Sequence, residues 1–492
     1  MPAVPELRIR ALNQAPVRTD GDHVLYWMTA NRRTRYNFSL QRAIEWCAEL
    51  DKPLLVFEAL RIGYRWASDR LHRFILQGMA DNQAALHDAP ARYYPYVEPQ
   101  IGHAEGLLET LAADSAVVIT DDFPCFFLPA MLRLVSHRLD VKLEAVDSNG
   151  VLPMRAADKV YPTAYAFRRF LQKELPRHFD ALPKSAPFQG YDLRNPPSIP
   201  RTVLDRWPEA TQDVLKASSS ALAEFDIDHD VKPASFDGGA AAAEAALSRF
   251  LEQGLPVYAS ERNSPDKETA SGLSPYLHFG HISSHDVFTR IVELEDWSPG
   301  DVADNAKGAR EEWWGMSEGA EAFLDQLITW RELGYNMCWQ RSDYDRFESL
   351  PDWAQETLAE HESDEREFRY SLDEFESART HDEIWNAAQR QLVQQGRMHN
   401  YLRMLWGKKV LEWSETPRDA VQTLIHLNNK YAVDGRNPNS YSGIFWCFGR
   451  YDRAWGPERP IFGKIRFMSS DSTRKKLQLN EYLAEFGDPQ DD

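Results

Sequence analysis

The chain has 492 residues, enough for two or three domains, and its 43% hydrophobic and 27% charged residues describe an ordinary soluble globular protein. A formal net charge of −19 argues against indiscriminate binding to a polyanion. The N-terminal MPAVPELRIRALNQAP lacks the apolar core of a signal peptide, no apolar run has bilayer-spanning length, and Cys47, Cys125, Cys338 and Cys447 match no metal-ligand spacing. Secretion, membrane insertion and a bound metal are therefore not expected, and the thiols read as reduced in a cytoplasmic protein.

From His23 to about Asp147 the short apolar runs HVLYWM, PLLVFEAL, ARYYPYV, AVVIT and VKLEAV alternate with amphipathic segments. Runs buried on both faces and separated by helices predict a parallel sheet, hence an α/β, Rossmann-like domain over residues 1–180. Neither GxGxxG nor GxxxxGK[ST] occurs, so no phosphate fingerprint shows what this domain binds. Six prolines between Pro183 and Pro208 predict an extended connector over the surface, within 181–225.

Beyond it, residues 226–492 carry long amphipathic stretches and predict an all-helical domain. The polar loop with Ser264, Thr269, Ser271, Gly272 and Ser274 either offers donors to an anion near a helix start or is a turn-rich surface loop. Next comes a buried helix with Ala322, Gln326, Trp330, Leu333 and Met337 on one face. Gln326 is either at a site or bonded structurally, because an unpaired buried amide costs roughly 1–3 kcal/mol. The acidic stretch 360–383 separates this helix from Trp385. One helix over Arg397–Trp413 puts His399, Arg403, Trp406, Val410 and Trp413 on one stripe, which fits a core helix or a site. The following helix is marked by Thr416 as N-cap, Pro417 and Asp419, and leads through Asn428 to Asp434-Gly435-Arg436-Asn437. Ten Lys/Arg stand against four acids between Lys430 and Asn480. A basic face on an acidic body suits a protein that touches DNA with one surface; a solvated charged loop is the alternative.

The blocks LSPYLHFGHIS at 273–283, FLDQLITWREL at 323–333, PDWA at 351–354, WNAAQRQLVQQGRMHNYLRMLWGKKVLEW at 385–413, LNNKYAVDGRNPNSYSG from 427 and DRAWGPERPIFGKIRFM to 468 resemble the photolyase/cryptochrome family, most closely its class II cyclobutane pyrimidine dimer photolyases. HVLYWM and RFILQGM extend the resemblance into the N-terminal domain.

That resemblance implies an α/β antenna domain, a surface connector and an all-α domain holding FAD. It also implies the chemistry: light excites FADH⁻, an electron passes to a pyrimidine dimer flipped out of UV-damaged DNA, and the electron returns once the ring has split. Carried onto this sequence, Tyr258, Ser271, Gly272, Leu273 and Ser274 fall at the flavin-binding loop. Arg403 and Asp434 match an ion pair beneath the flavin, Asn428 the amide facing flavin N5, and Arg436 a group offsetting charge on the reduced flavin. Trp406, Trp385 and Trp413 match the proximal, intermediate and distal members of the class II relay; class I members have a Trp where this chain has Arg397. Trp330, Met404, Trp446 and Trp455 match the lesion pocket, and Arg450, Arg453 and Lys464 the DNA-facing segment. A deazaflavin-type antenna chromophore is the class II expectation, and the protein is expected to be a monomer.

Two departures stand out. Gln326 occupies the position of a family glutamate that bonds the lesion and shares a proton with it; an amide can hydrogen-bond but not supply that proton. Pro457 makes the DRAWGPERP loop one residue longer than the usual pattern. The resemblance thus implies a deoxyribodipyrimidine photo-lyase, with a cryptochrome-like photosensor that repairs weakly or not at all, and signals to a protein partner, as the alternative.

Overall fold

The computed structural model describes residues 3–267 and 269–487. Its N-terminal part is a six-stranded sheet built from β1 (Ile9–Ala11), β2 (His23–Met28), β3 (Leu54–Leu60), β4 (Ala91–Val97), β5 (Ser115–Asp121) and β6 (Leu143–Val146), in the order β1-β6-β5-β2-β3-β4. All neighbours are parallel except β1, which runs antiparallel to β6. The expected parallel sheet is present; the edge strand β1 was not read from the sequence, since three residues, two half-exposed and one exposed, carry no hydrophobic period.

Every residue of β2 is buried, as a strand covered on both faces requires. Helices α1 (Phe38–Leu50) and α2 (Asp69–Leu86) pack on one face, α3 (Leu107–Ala113) and α4 (Leu128–Ser136) on the other. Asn37 caps α1 by accepting from the backbone N–H groups of Ser39 and Leu40, and Asp51 ends it in the left-handed region.

After α5 (Ala164–Glu174) the proline-rich connector runs irregularly and then forms three short helices, α6 (Arg201–Arg206), α7 (Gln212–Leu215) and α8 (Ser219–Leu222). It is pinned rather than loose: Trp207 is buried against the sheet domain and its indole donates to the His103 carbonyl at 2.8 Å.

The helical part comprises α9 (Ala240–Arg249), α10 (Tyr258–Glu261), α11 (Ser274–Phe279), α12 (Ser284–Leu294), α13 (Glu318–Leu324), α14 (Arg331–Gln340), α15 (Asp352–Glu360), α16 (Leu372–Glu376), α17 (Glu383–Gln395), α18 (Asn400–Trp413), α19 (Pro417–Tyr431), α20 (Pro438–Trp446), α21 (Ser470–Lys476) and α22 (Asn480–Phe486). Two features differ from the helices expected. Between α13 and α14 the backbone is π-helical over Asp325–Trp330, so Gln326 and Trp330 sit on a widened turn rather than on a regular stripe. And α18 begins at Asn400, not Arg397: Gly396 closes α17 in the left-handed region and His399 is the N-cap, its side chain accepting from the Tyr401 N–H.

Buried charges lock the two parts together. Arg70 of α2 donates to the carbonyls of Tyr431 at 2.6 Å and Val393 at 2.6 Å, gripping the ends of α19 and α17. From α14, Glu332 accepts the N–H groups of Val151 (2.7 Å) and Leu152 (3.1 Å), while Arg331 donates to the Asn149 carbonyl at 2.8 Å. The helices that carry the candidate site are thereby fixed against the sheet domain.

Candidate functional site

Four elements converge on one region. Trp330, at the end of the π-turn, stacks on Trp446, at the end of α20, with centroids 4.7 Å apart and planes 24° from parallel. Both indoles are half-exposed, as is Met404 on α18. Two large parallel rings left partly uncovered form a platform on which another planar group can stack. Gln326 is half-exposed one π-turn away, and among the described residues its amide has no protein partner. The π-turn is held from behind by Arg168 of α5, which makes a two-pronged contact with Asp325 at 2.7 and 3.0 Å.

Asn428 and Asn429, near the end of α19, are buried, and their amide orientations follow from one fixed donor. The Arg436 backbone N–H can only donate, and it meets Asn429 Oδ1 at 2.8 Å. Asn429 Nδ2 therefore turns to the Tyr441 hydroxyl at 3.3 Å, and Asn428 Nδ2 donates to Asn429 Oδ1 at 3.3 Å. This leaves Asn428 Oδ1, the side-chain amide oxygen, without a partner among the described residues. Arg403 on α18 faces Asp434 at 3.9 Å, an open pair with side chains 23% and 17% exposed. Asn437 Nδ2 lies 3.0 Å from His278 Nδ1, which sets the 434–438 turn beside α11 and the loop before it.

In that loop Leu273 is buried, Gly272 has φ +66° with open space where a Cβ would project, and the Ser271 hydroxyl accepts the Leu273 N–H at 3.4 Å. Ser274 opens α11. The hydroxyl of Thr269 is buried without a partner among the described residues. Tyr258 on α10 packs edge-on against Phe250 and Phe323. An orphaned hydroxyl, an uncovered glycine, clustered serines and an unpaired amide oxygen form a donor and acceptor set that fits a flavin dinucleotide.

A chain of indoles leads outward. Trp406 and Trp385 lie 6.5 Å apart within 11° of parallel, and Trp385 and Trp413 lie 5.9 Å apart at 67°. The Trp385 indole donates to the Trp406 carbonyl, and the Trp406 indole to Gln389 Oε1, each at 3.0 Å. All three are at most 3% exposed. The sequence did not reveal Gln389 in this role, nor Tyr370 and His381, whose rings lie 5.5 and 5.1 Å beyond Trp413; both fall in an acidic stretch without a helical period.

Two arginines are placed differently from expectation. Arg436 is 2% exposed and spends its guanidinium on the carbonyls of Asn429, Ala432 and Val433, so it caps the end of α19 rather than presenting free charge to a flavin. Arg450 is 3% exposed, bonded to the Tyr344 carbonyl and the Ser349 hydroxyl and lying 3.9 Å over the Phe445 ring, so it cannot contact DNA. A short basic run distinguishes charge from neutrality but not surface from core. Arg453, Arg459, Lys464, Arg466, Arg474, Lys475 and Lys476 are exposed. Trp455 is half-exposed between Arg453 and Arg466, and Lys464 pairs with Glu458 at 3.0 Å.

A cavity of about 420 Å³ lies over the carboxyl ends of β2 and β3 and reaches Phe123, Phe126 and Phe127 after β5, beside the β2/β5 junction where the strand order reverses. Trp27, Phe57, Phe126 and Phe127 give it aromatic walls, with Arg32 and His278 among its polar groups.

The chain is 35% identical over 478 residues to a deoxyribodipyrimidine photo-lyase of Methanothermobacter thermautotrophicus, spanning 97% of both proteins. It belongs to the photolyase/cryptochrome family. Photo-lyases of Oryza sativa subsp. japonica and Potorous tridactylus are 33% and 29% identical, covering 97% and 96% of this chain and 90% and 83% of their own. No family model matches the chain. A bacterial class III photolyase from Agrobacterium tumefaciens superposes with a TM-score of 0.67 over 95% of this chain and 86% of its own; at 17% identity it shows the shared photolyase fold. Membership in the photolyase family implies a flavin cofactor, FAD. Among the described residues no helix is long and apolar enough to cross a membrane, and no cluster of His, Cys, Asp or Glu could hold a metal ion.

Proposed function

We propose that the protein is a light-driven DNA photolyase of the class II type, splitting UV-induced pyrimidine dimers. The observation that carries this reading is the half-uncovered Trp330–Trp446 stack, with half-exposed Met404 on the adjoining helix, its carbonyl 4.0 Å from Cys447 Sγ. Such a platform suits two adjacent bases flipped out of a duplex.

Tyr258, Thr269, Ser271, Gly272, Leu273 and Ser274 would hold the dinucleotide, and Arg403, Asp434 and the Asn428 side-chain amide would bind its ring system. Bound FAD in its reduced form supplies a light-excited electron for splitting the dimer. Trp330, Trp446 and Met404 stack the flipped bases and exclude water, and Gln326 hydrogen-bonds them. Trp413, Trp385 and Trp406 pass electrons inward to restore the reduced cofactor. Arg453, Lys464 and the half-exposed Trp455 meet the DNA backbone, making damaged DNA the partner. The cavity over the sheet suits a planar antenna chromophore such as a deazaflavin, whose rings its aromatic walls would stack.

Gln326 supports a second reading, a cryptochrome-like sensor acting through a protein partner, because an amide cannot supply the proton that the family's glutamate can. Flavin-loaded, reduced protein illuminated with dimer-containing DNA separates the two. Light-dependent loss of the dimer supports the photolyase; intact dimers with normal flavin photochemistry support the sensor.

A further inference from the structure

The aromatic chain continues past Trp413. Tyr370 is half-buried, and its ring lies 5.5 Å from that of Trp413 at 76°; His381 is exposed, its ring 5.1 Å from Trp413. Two hydrogen bonds join the phenol to the histidine. The His381 backbone N–H donates to the Tyr370 oxygen at 3.0 Å, and that oxygen lies 2.6 Å from His381 Nδ1. Among the described residues the phenol has no other acceptor, and in the imidazole tautomer protonated on Nε2 it donates to Nδ1. Phe368 stacks on the imidazole at 3.8 Å and 23°, fixing the ring in that orientation.

We propose that His381 is the proton acceptor that makes Tyr370 the terminal electron donor of the relay. The inference rests on the relay function assigned above to Trp406, Trp385 and Trp413. One electron leaves Tyr370 and restores oxidised Trp413 to a neutral indole. The phenolic O–H bond breaks, and its proton bonds to His381 Nδ1. The products are a neutral tyrosyl radical and an imidazolium, with no other reactant consumed.

Geometry favours this order of events. A phenol that keeps its proton gives up an electron reluctantly, whereas one with a base 2.6 Å away sheds charge and proton together. The Lys409 ammonium, 5.2 Å over the Trp413 ring, disfavours positive charge there; its pairing with Glu412 at 2.8 Å offsets this only in part. The exposed imidazolium can release its proton to water, and a thiol in solution can return a hydrogen atom to the half-buried radical.

Flash excitation of the holoprotein with oxidised flavin, followed by transient absorption, tests the proposal. The parent should show a tryptophan radical decaying into the narrow band of a neutral tyrosyl radical, more slowly in heavy water. His381→Phe, which keeps an aromatic ring in the stack, should cut the tyrosyl yield at least about tenfold and leave the tryptophan radical long-lived. Tyr370→Phe should remove the narrow band altogether. An unchanged tyrosyl yield in His381→Phe, a band surviving in Tyr370→Phe, or a parent signal ending on tryptophan overturns the inference and leaves the relay standing. Absence of any tryptophan radical overturns the relay itself, and this inference with it.

Discussion

The Trp385 indole donates to the backbone carbonyl of Trp406 at 3.0 Å, while their rings lie 6.5 Å apart and within 11° of parallel. One contact thus ties α17 to α18 and holds two electron carriers at a fixed spacing, at no more than 3% exposure. Trp406→Phe is expected to abolish photoreduction of oxidised flavin with the cofactor still bound, because phenylalanine fills most of the volume but is far harder to oxidise. Flavin absorbance under continuous illumination with a thiol donor measures this; photoreduction at the parent rate would mean that electrons enter by another route.

Gln326 sits on the π-turn, its side chain without a partner among the described residues, so replacing it by glutamate breaks no bond seen there. Gln326→Glu is expected to raise the dimer-splitting yield per absorbed photon by up to about tenfold, less than the ~10²–10⁴-fold a positioned acid can contribute, because the amide already supplies a hydrogen bond. No change would show that this face of the turn does not meet the lesion.

Arg168 and Asp325 are 6% and 11% exposed and doubly bonded. Arg168→Leu leaves a carboxylate buried and unpaired directly before Gln326. It should cost about 3 kcal/mol of stability in denaturant titration, and weaken repair more than photoreduction, since the indole chain lies on other helices.

Much of this was legible in advance. The five core strands announce themselves by apolar runs, and the cap at Thr416 by Ser/Thr-Pro chemistry; the structure gives Thr416 accepting the Asp419 N–H at 3.1 Å. The resemblance blocks named Trp330 and Trp446, which stack on each other, and Trp385, Trp406 and Trp413, whose rings lie side by side. What was not legible needed geometry. The π-turn has no composition signal, β1 is too short for a period, and Arg436 and Arg450 look like any surface arginine until their carbonyl partners are seen. His381 and Tyr370 are eleven residues apart, on either side of α16 in an acidic stretch, and meet where that stretch packs on the end of α18.

Acid should weaken the fold through its buried histidines, among them His72, His281 and His399. Burial lowers His72 to about 4 and His281 to about 3, and His399, also lowered chiefly by burial, to about 4, from an ordinary 6.5. Each is lowered in the folded state, so its contribution is intact above pH 6.5. It is lost as pH falls toward 4, at up to about 1.4 kcal/mol per pH unit per group, because only the unfolded chain takes up the proton. His399 Nδ1 accepts the Tyr401 N–H as the cap of α18, so protonation also removes that cap. Melting temperatures between pH 7 and 4 should fall, and His399→Asn, which retains a cap acceptor, should flatten the slope.

The Arg403–Asp434 pair is open at 3.9 Å and partly exposed, so its worth to the apoprotein is at most about 1 kcal/mol. Asp434→Asn should leave the melting temperature of the apoprotein nearly unchanged but increase flavin loss on gel filtration. A large loss of stability with flavin retained would place the pair outside the cofactor site.

The most direct test is illumination of the reduced, flavin-loaded protein with DNA containing cyclobutane thymine dimers, following recovery of thymine absorbance. Light-dependent recovery, lost in Trp330→Ala and Trp446→Ala, is the result expected. No recovery in light, with the flavin fully reduced and the DNA bound, would contradict the account.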